Sequence, residues 1–149
     1  MIFLATGFGV GYSKKAPGTL GSLVGLPFAA ALAYSDLTLV MKVVVLLIVT
    51  AFGFWVTAVA EKALGIHDDQ RIVIDEVVGQ MVTISLFTPT VLSVTVGFLL
   101  FRLFDIWKPG LIGFVDEKMP GPIGTFFDDI LAGIAGAVCM YFIFKFGRS

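Results

Sequence analysis

The sequence predicts an all-α, polytopic integral membrane bundle with four to five hydrophobic segments, and three observations predict it. Hydrophobic residues fill 58% of the 149 positions and charged residues 14%, where an average soluble domain carries about 25% charge. Four runs contain no Asp, Glu, Lys or Arg: 16–35, 43–60, 77–101 and 130–144. The charges are crowded between them, with thirteen of the 21 falling in 61–76 and 102–118. Blank runs separated by dense polar islands are the pattern of helices that satisfy their own backbone in lipid.

The same arithmetic excludes other classes. Ten Lys and Arg are set against eleven Asp and Glu, so there is no basic stripe for nucleic acid and no nucleic-acid partner is expected. A mean hydropathy of +0.99 rules out an ordinary cytosolic enzyme or a disordered chain. Spans of roughly 20 residues with short loops use up nearly the whole length, which predicts one membrane-embedded domain over 1–149. The single cysteine, Cys139, lies in the last apolar run, so no intrachain disulfide forms. Met1 to Val10 lacks a basic start and a small-residue cleavage site, and insertion is expected to rely on the spans themselves.

The first span, 16–35, follows a glycine-rich stretch in which Gly7, Gly9, Gly11, Gly18 and Gly21 surround Lys14, Lys15, Thr19 and Ser22. Such backbone leading into a helix start offers N–H donors to an anion, although the Gly-Lys-Ser/Thr of a nucleotide P-loop is missing. The second span, 43–60, leads into the first charged island. The third, 77–101, admits two readings. Its 25 residues can cross once with tilt, yet Phe87-Thr88-Pro89-Thr90 at its middle breaks helices and forms turns. A hairpin at Pro89 puts both charged islands on one face, and a single crossing puts them on opposite faces. With Lys14 and Lys15 cytoplasmic, the hairpin places Lys62, Arg71, Arg102, Lys108 and Lys118 beside them, and Lys42, Lys145 and Arg148 outside. Seven against three fits the positive-inside bias better than the six against four of a single crossing. Arms of roughly 11 apolar residues at about 1.5 Å rise are short for a ~30 Å hydrocarbon core, so both helices are expected to continue past it on the charged side. The fourth span, 130–144, is striped with Ala132, Gly133, Ala135, Gly136 and Ala137, a spacing that lets helix backbones approach closely. Gly79 follows Asp75 by one helical turn and invites the same packing.

Charge where a helix meets lipid needs a partner, a cation or water, and marks function by default. Asp75, Glu76, Asp105, Asp128 and Asp129 are all oxygen ligands with no cysteine or histidine close in sequence. That donor set suits a hard cation such as Mg²⁺ and suits zinc poorly. Converged, five like charges repel strongly unless a divalent ion neutralises them. The competing reading places the two acidic pairs in helix first turns, where carboxylates favour the positive dipole end. Arg102, Asp105 and Lys108, spaced i, i+3, i+6, share a helix face that Pro109 ends. The two cations either snorkel to the interface or recognise a phosphate beside a metal. With His67 as the only histidine, a two-histidine phosphatase is excluded. Cys139 precedes Lys145 rather than an arginine and sits in an apolar run, so a cysteine-phosphatase loop is absent as well. A carboxylate or metal-activated water remains.

Four motifs in order resemble the phosphatidylglycerophosphatase A family: Pro17-Gly18-Thr19-Leu20-Gly21-Ser22; Asp68 with Ile72-Val73-Ile74-Asp75-Glu76-Val77-Val78-Gly79; Phe101-Arg102-Leu103-Phe104-Asp105-Ile106-Trp107-Lys108-Pro109; and Asp128-Asp129-Ile130-Leu131-Ala132-Gly133. The resemblance runs from about Leu4 to Tyr141 and shows no departure at the acidic positions, while the Lys14/Lys15 pair is a less regular part of the pattern. It implies a Mg²⁺-dependent, multi-pass enzyme of the bacterial inner membrane that converts phosphatidylglycerophosphate in the bilayer to phosphatidylglycerol and inorganic phosphate, with its active site facing the cytoplasm. Asp75, Glu76, Asp105 and the Asp128/Asp129 pair then hold one or two Mg²⁺. Asp75, Glu76, Asp105 and Asp129 form the catalytic set. Lys108, Arg102, Thr19 and Lys15 hold the substrate phosphate, and Asp129 or Asp105 is an alternative nucleophile. The rival readings are a phosphatase for another lipid phosphate, a small cation transporter or channel subunit, and an assembly subunit without chemistry.

Overall fold

A computed structural model describes residues 1–67 and 69–147; Asp68 and Arg148, both used in the sequence reading, lie outside the described residues. Every regular element among them is helical: α1 (Ile2–Ala5), a 3₁₀ turn (Val10–Tyr12), α2 (Pro17–Tyr34), α3 (Leu39–Leu64), α4 (Ile74–Ile84), α5 (Val91–Trp107), α6 (Leu111–Lys118) and α7 (Pro122–Phe146). The helix ends follow local chemistry. Pro17 and Pro122 open α2 and α7, where a missing N–H costs nothing. Thr38 caps α3 by accepting from the Met41 amide, and Gly65 closes it in the left-handed conformation at φ 66°. Thr90 and Ser93 cap α5 reciprocally.

Three helices, α2, α3 and α7, are long and apolar enough to cross a membrane. The third apolar run is a hairpin: α4 stops at Ile84, α5 resumes at Val91, and Pro89 lies in the turn. The Tyr34 hydroxyl donates to the Pro89 carbonyl at 2.9 Å and the Lys42 ammonium to the Ala33 carbonyl at 2.6 Å, so the hairpin tip, the end of α2 and the start of α3 share one end of the bundle. Both charged islands therefore lie at the other end. The five predicted apolar helical segments are thus α2, α3, the two hairpin arms and α7. Both arms continue past the charge-free run on the charged side, α5 to Trp107 and α4 by a single turn to Ile74. The 11 residues of α4 rise about 16 Å, roughly half the ~30 Å core. It starts no earlier because the Val73 amide is engaged by the Ala5 carbonyl at 2.8 Å, which turns the chain just before Ile74.

This short α4 is the bundle's centre, with α2, α3, α5 and α7 packed around it. Most of it is buried, including Asp75, Gly79, Gln80 and Thr83. Its close neighbour is α7, and glycines make the contact. A Cβ on Gly79 would stand 2.6 Å from the Phe101 ring and 2.8 Å from the Asp129 carbonyl oxygen, and one on Gly133 would stand 2.5 Å from the Gly79 carbonyl oxygen. Thr83 seals the contact, its hydroxyl lying 3.0 Å from the Gly79 carbonyl oxygen and 3.2 Å from that of Gly133. Without a hydrophobic drive between helices in lipid, such backbone proximity and hydrogen bonding hold them together. Ala29, Leu46, Ile84 and Met140 fill the half towards the hairpin tip, and Val78, Phe126 and Ile130 the half towards the charges. The outer surface is apolar, with Ile48, Phe52, Leu99 and Ile134 exposed as a lipid environment requires.

The hairpin fixes sidedness. In a Cys139→Ser background, Gln70→Cys and Glu117→Cys should react with an impermeant thiol reagent from one face of the membrane and Asp36→Cys from the other. Labelling of Gln70→Cys and Glu117→Cys from opposite faces contradicts the hairpin.

Candidate active site

At the charged end, where α2, α4 and α7 begin and α3 and α5 end, a polar cavity of about 460 Å³ opens. Among the described residues, eight carboxylates line it, those of Glu61, Asp69, Asp75, Glu76, Asp105, Asp116, Asp128 and Asp129, against the three cations Lys14, Arg102 and Lys108. That imbalance sets the site's chemistry, because charges in a low-dielectric surround repel strongly.

The closest acids are placed by the glycine contact. Helices α4 and α7 both start at the charged end. Asp75 lies one turn before Gly79 and Asp129 one turn before Gly133, so the backbone contact sets the two acids side by side. Asp75, Glu76 and Asp129 each offer a carboxylate oxygen within 4.8 Å of the others. Glu76 Oε2 and Asp129 Oδ1 are buried without a hydrogen-bond partner, an arrangement that costs free energy unless a cation completes it. Gly18 lets the start of α2 come this close, since a Cβ there would collide with Glu76 Oε1. Ala16, Pro17 and Gly18 at the start of α2 form one wall of the cavity, and the Gly18 amide, in the first turn, has no intrahelical partner.

The cations are held by their own carboxylates. Arg102 pairs with Asp105 and reaches Ser22 Oγ on α2 at 3.4 Å. Lys108 Nζ bridges Asp116 Oδ1 at 2.7 Å and Asp128 Oδ2 at 2.6 Å, joining the end of α5 to α6 and α7. Lys108 adopts φ 48°, ψ 54° at the α5 C-cap, a left-handed conformation that costs a non-glycine residue about 1 kcal/mol or more. Burial opposes its charge, but the bonds to Asp116 and Asp128 outweigh this and hold the ammonium above its ordinary pKa. Asp69 is held below the usual carboxylate range by the Arg71 side chain, whose Nε donates to Oδ1 at 2.9 Å, against the opposing effect of burial. Glu61 accepts from Thr125 Oγ1 at 2.8 Å and lies 3.3 Å from His67 Nδ1, tying the end of α3 to the start of α7.

All five predicted ligands, with Arg102 and Lys108, line this cavity. They do not form one cluster: Asp75, Glu76 and Asp129 come together, Asp105 is engaged by Arg102 and Asp128 by Lys108. Thr19 and Lys15 are not among the lining residues; Lys14 is, and Lys15 is exposed. The sequence reading passed over Glu61, Asp69, Asp116, Thr57 and Thr125 as site residues. Glu61 had a signal, as the first charge after the second span, and Asp116 stands in the second charged stretch. The two threonines had none.

Fold and site together define a helical membrane protein whose ionisable groups gather at one end, arranged as a cation-flanked carboxylate pocket suited to phosphoryl chemistry. A family profile described as Phosphatidylglycerophosphatase A matches residues 3–144. The chain is 39% identical to the phosphatidylglycerophosphatase A of Escherichia coli K12, covering 94% of this chain and 81% of that one. It is 36% identical to the protein of that name from Haemophilus influenzae, covering 94% and 86%. A relative from Bacteroides thetaiotaomicron, named provisionally a phosphatidylinositol-3-phosphatase, is 35% identical over 89% of this chain and 86% of its own. No solved structure matches. The chain belongs to the phosphatidylglycerophosphatase A family, a family of bacterial membrane enzymes, and is a phosphoric monoester hydrolase.

The Lys108–Asp128 pair yields a test independent of activity. Lys108→Met strands a buried carboxylate and should destabilise the protein in detergent, whereas Lys118→Met should not. In an Asp128→Asn background the loss should shrink, giving a coupling of about 1–3 kcal/mol by thermal or denaturant unfolding. Strictly additive losses contradict the bridge.

Proposed function

We propose that this enzyme hydrolyses phosphatidylglycerophosphate to phosphatidylglycerol and inorganic phosphate at the cytoplasmic face of a bacterial inner membrane, with Mg²⁺ held by Asp75, Glu76 and Asp129. The observation that carries the reading is the carboxylate triad, two of whose oxygens, Glu76 Oε2 and Asp129 Oδ1, are buried and lack any hydrogen-bond donor. All-oxygen ligands under mutual repulsion fit a hard divalent cation. Support for the substrate comes from the names of the relatives in Escherichia coli and Haemophilus influenzae, and the Bacteroides relative's name also describes a lipid phosphomonoester. The cytoplasmic orientation is supported by the lysines and arginines gathered at the site end, against Lys42 and Lys145 at the other.

A bound divalent ion supplies positive charge that offsets the triad and polarises the phosphoryl oxygens. Arg102 and Lys108 face the same phosphate from the end of α5, aimed by Asp105, Asp116 and Asp128, and the Gly18 amide at the start of α2 donates to it. With Asp75, Glu76 and Asp129 committed to the cation, Asp105 is the remaining member of the predicted catalytic set and accepts a proton from the attacking water. The water oxygen bonds to phosphorus as the bond from phosphorus to the glycerol oxygen breaks, and the proton taken by Asp105 passes to the departing alkoxide. The diacylglycerol part stays in the bilayer while the headgroup reaches the cavity at the bundle end.

Purified protein should release phosphate from micellar phosphatidylglycerophosphate with Mg²⁺ and stop reversibly on chelation. Asp75→Asn, Glu76→Gln and Asp129→Asn should each abolish turnover in protein that still folds, and Asp105→Asn should lower kcat about 100-fold or more. Undiminished rates in chelator, or two triad variants near the wild-type rate, contradict the reading.

A further inference from the structure

Away from the polar cavity, an apolar groove of about 770 Å³ lies between helices α3 and α7, floored by Val82 of α4 and by Leu86 just beyond its end. Val43, Leu47 and Thr50 form one wall, and Ile134, Ala137 and Phe142 the other. Towards the site the two helices close. Thr125 bonds Glu61 at 2.8 Å, and Phe126 packs on Phe54 and against Gly53, where a Cβ would stand 3.0 Å from the ring. The rim at this closure is Phe127 and Ile130, which flank Asp128 and Asp129 in sequence. The groove and the catalytic acids therefore share one stretch of α7.

Phe127 and Phe142 are 15 residues apart, about 22 Å along the helix, and one leaflet of a ~30 Å core is about 15 Å deep. An occupant at this depth has to be apolar, elongated and free of hydrogen-bonding groups, because none of the hydrocarbon's water could satisfy them. Resting on the lipid-phosphate reading above, we propose that the groove seats one acyl chain of the substrate, with its glycerol end at Phe127 and its phosphate across the rim in the cavity. Moving a chain from bilayer to groove exchanges one apolar surrounding for another, so the groove contributes little affinity. What it contributes is aim: a chain fixed along α7 sets where the phosphate lies relative to Asp128 and Asp129.

The groove can be filled from either wall, by Ala137→Trp or by Thr50→Leu, and Ile48→Trp on the outer face of α3 is the control. Phosphate release is followed from a long-chain and a short-chain phosphatidylglycerophosphate. Both groove variants should lose about tenfold or more in kcat/KM on the long-chain substrate, because misplacement near 1 Å is that costly, while short-chain turnover stays near wild type and shows that they fold. Ile48→Trp should change neither. An unchanged ratio of long-chain to short-chain turnover in both groove variants, whether the two rates fall together or not at all, overturns the groove. Wild-type protein inactive on both substrates overturns instead the phosphatase reading on which it rests.

Discussion

The contact between the backbones of α4 and α7 at Gly79 and Gly133 is the constraint on which the rest depends. A Cβ at either position would meet main-chain oxygen of the other helix at 2.8 Å or less, so no other residue permits this spacing. One turn nearer the charged end, the same spacing puts Asp75 against Asp129. The hairpin at Pro89 is needed because it lets α4 start at the charged end and return through α5, bringing Arg102, Asp105 and Lys108 to the same pocket. Repulsion among the acids works against all of this, and packing of α4 by four surrounding helices withstands it.

The basic side chains show a second organising feature. Arg102 and Lys108 are not free cations awaiting an anion; each is aimed by carboxylates, Arg102 by Asp105 and Lys108 by Asp116 and Asp128. Held in place, they lose less conformational freedom when a phosphate binds. Asp69 is already offset by Arg71, which also lies over the Tyr12 ring at 5.9 Å. Among the described residues no ion pair reaches the triad, so the acids that stand closest together are also the ones that no basic side chain holds.

Much of this was legible in the sequence because membrane helices write their boundaries in charge. The blank runs marked α2, α3 and α7, Pro89 marked the turn, and the acids at positions 75, 76, 105, 128 and 129 all reached one cavity. The division of those five into a triad and two ion pairs was not legible, since it depends on Lys108 turning left-handed at the end of α5 and on Asp116 arriving from α6. Thr19 illustrates a finer failure. Consecutive helix residues are about 100° apart, so with Pro17 and Gly18 turned to the cavity, Thr19 lies about 200° round the helix from Pro17 and off the site. Lys14 and Lys15 are likewise adjacent and only Lys14 lines the pocket, a choice set by how the 13–16 turn folds. The shortness of α4 was hidden as well, because the carbonyl that engages Val73 belongs to Ala5, far away in sequence.

The central claim is that acids from two helices, α4 and α7, hold one divalent cation. Mn²⁺ binding to the purified protein in detergent, followed by electron paramagnetic resonance without substrate, tests it most directly. Wild-type protein should bind the ion, and Asp75→Asn on α4 and Asp129→Asn on α7 should each weaken binding by about tenfold or more, an energy of about 1.4 kcal/mol. Unaltered Mn²⁺ affinity in either variant would contradict a shared site.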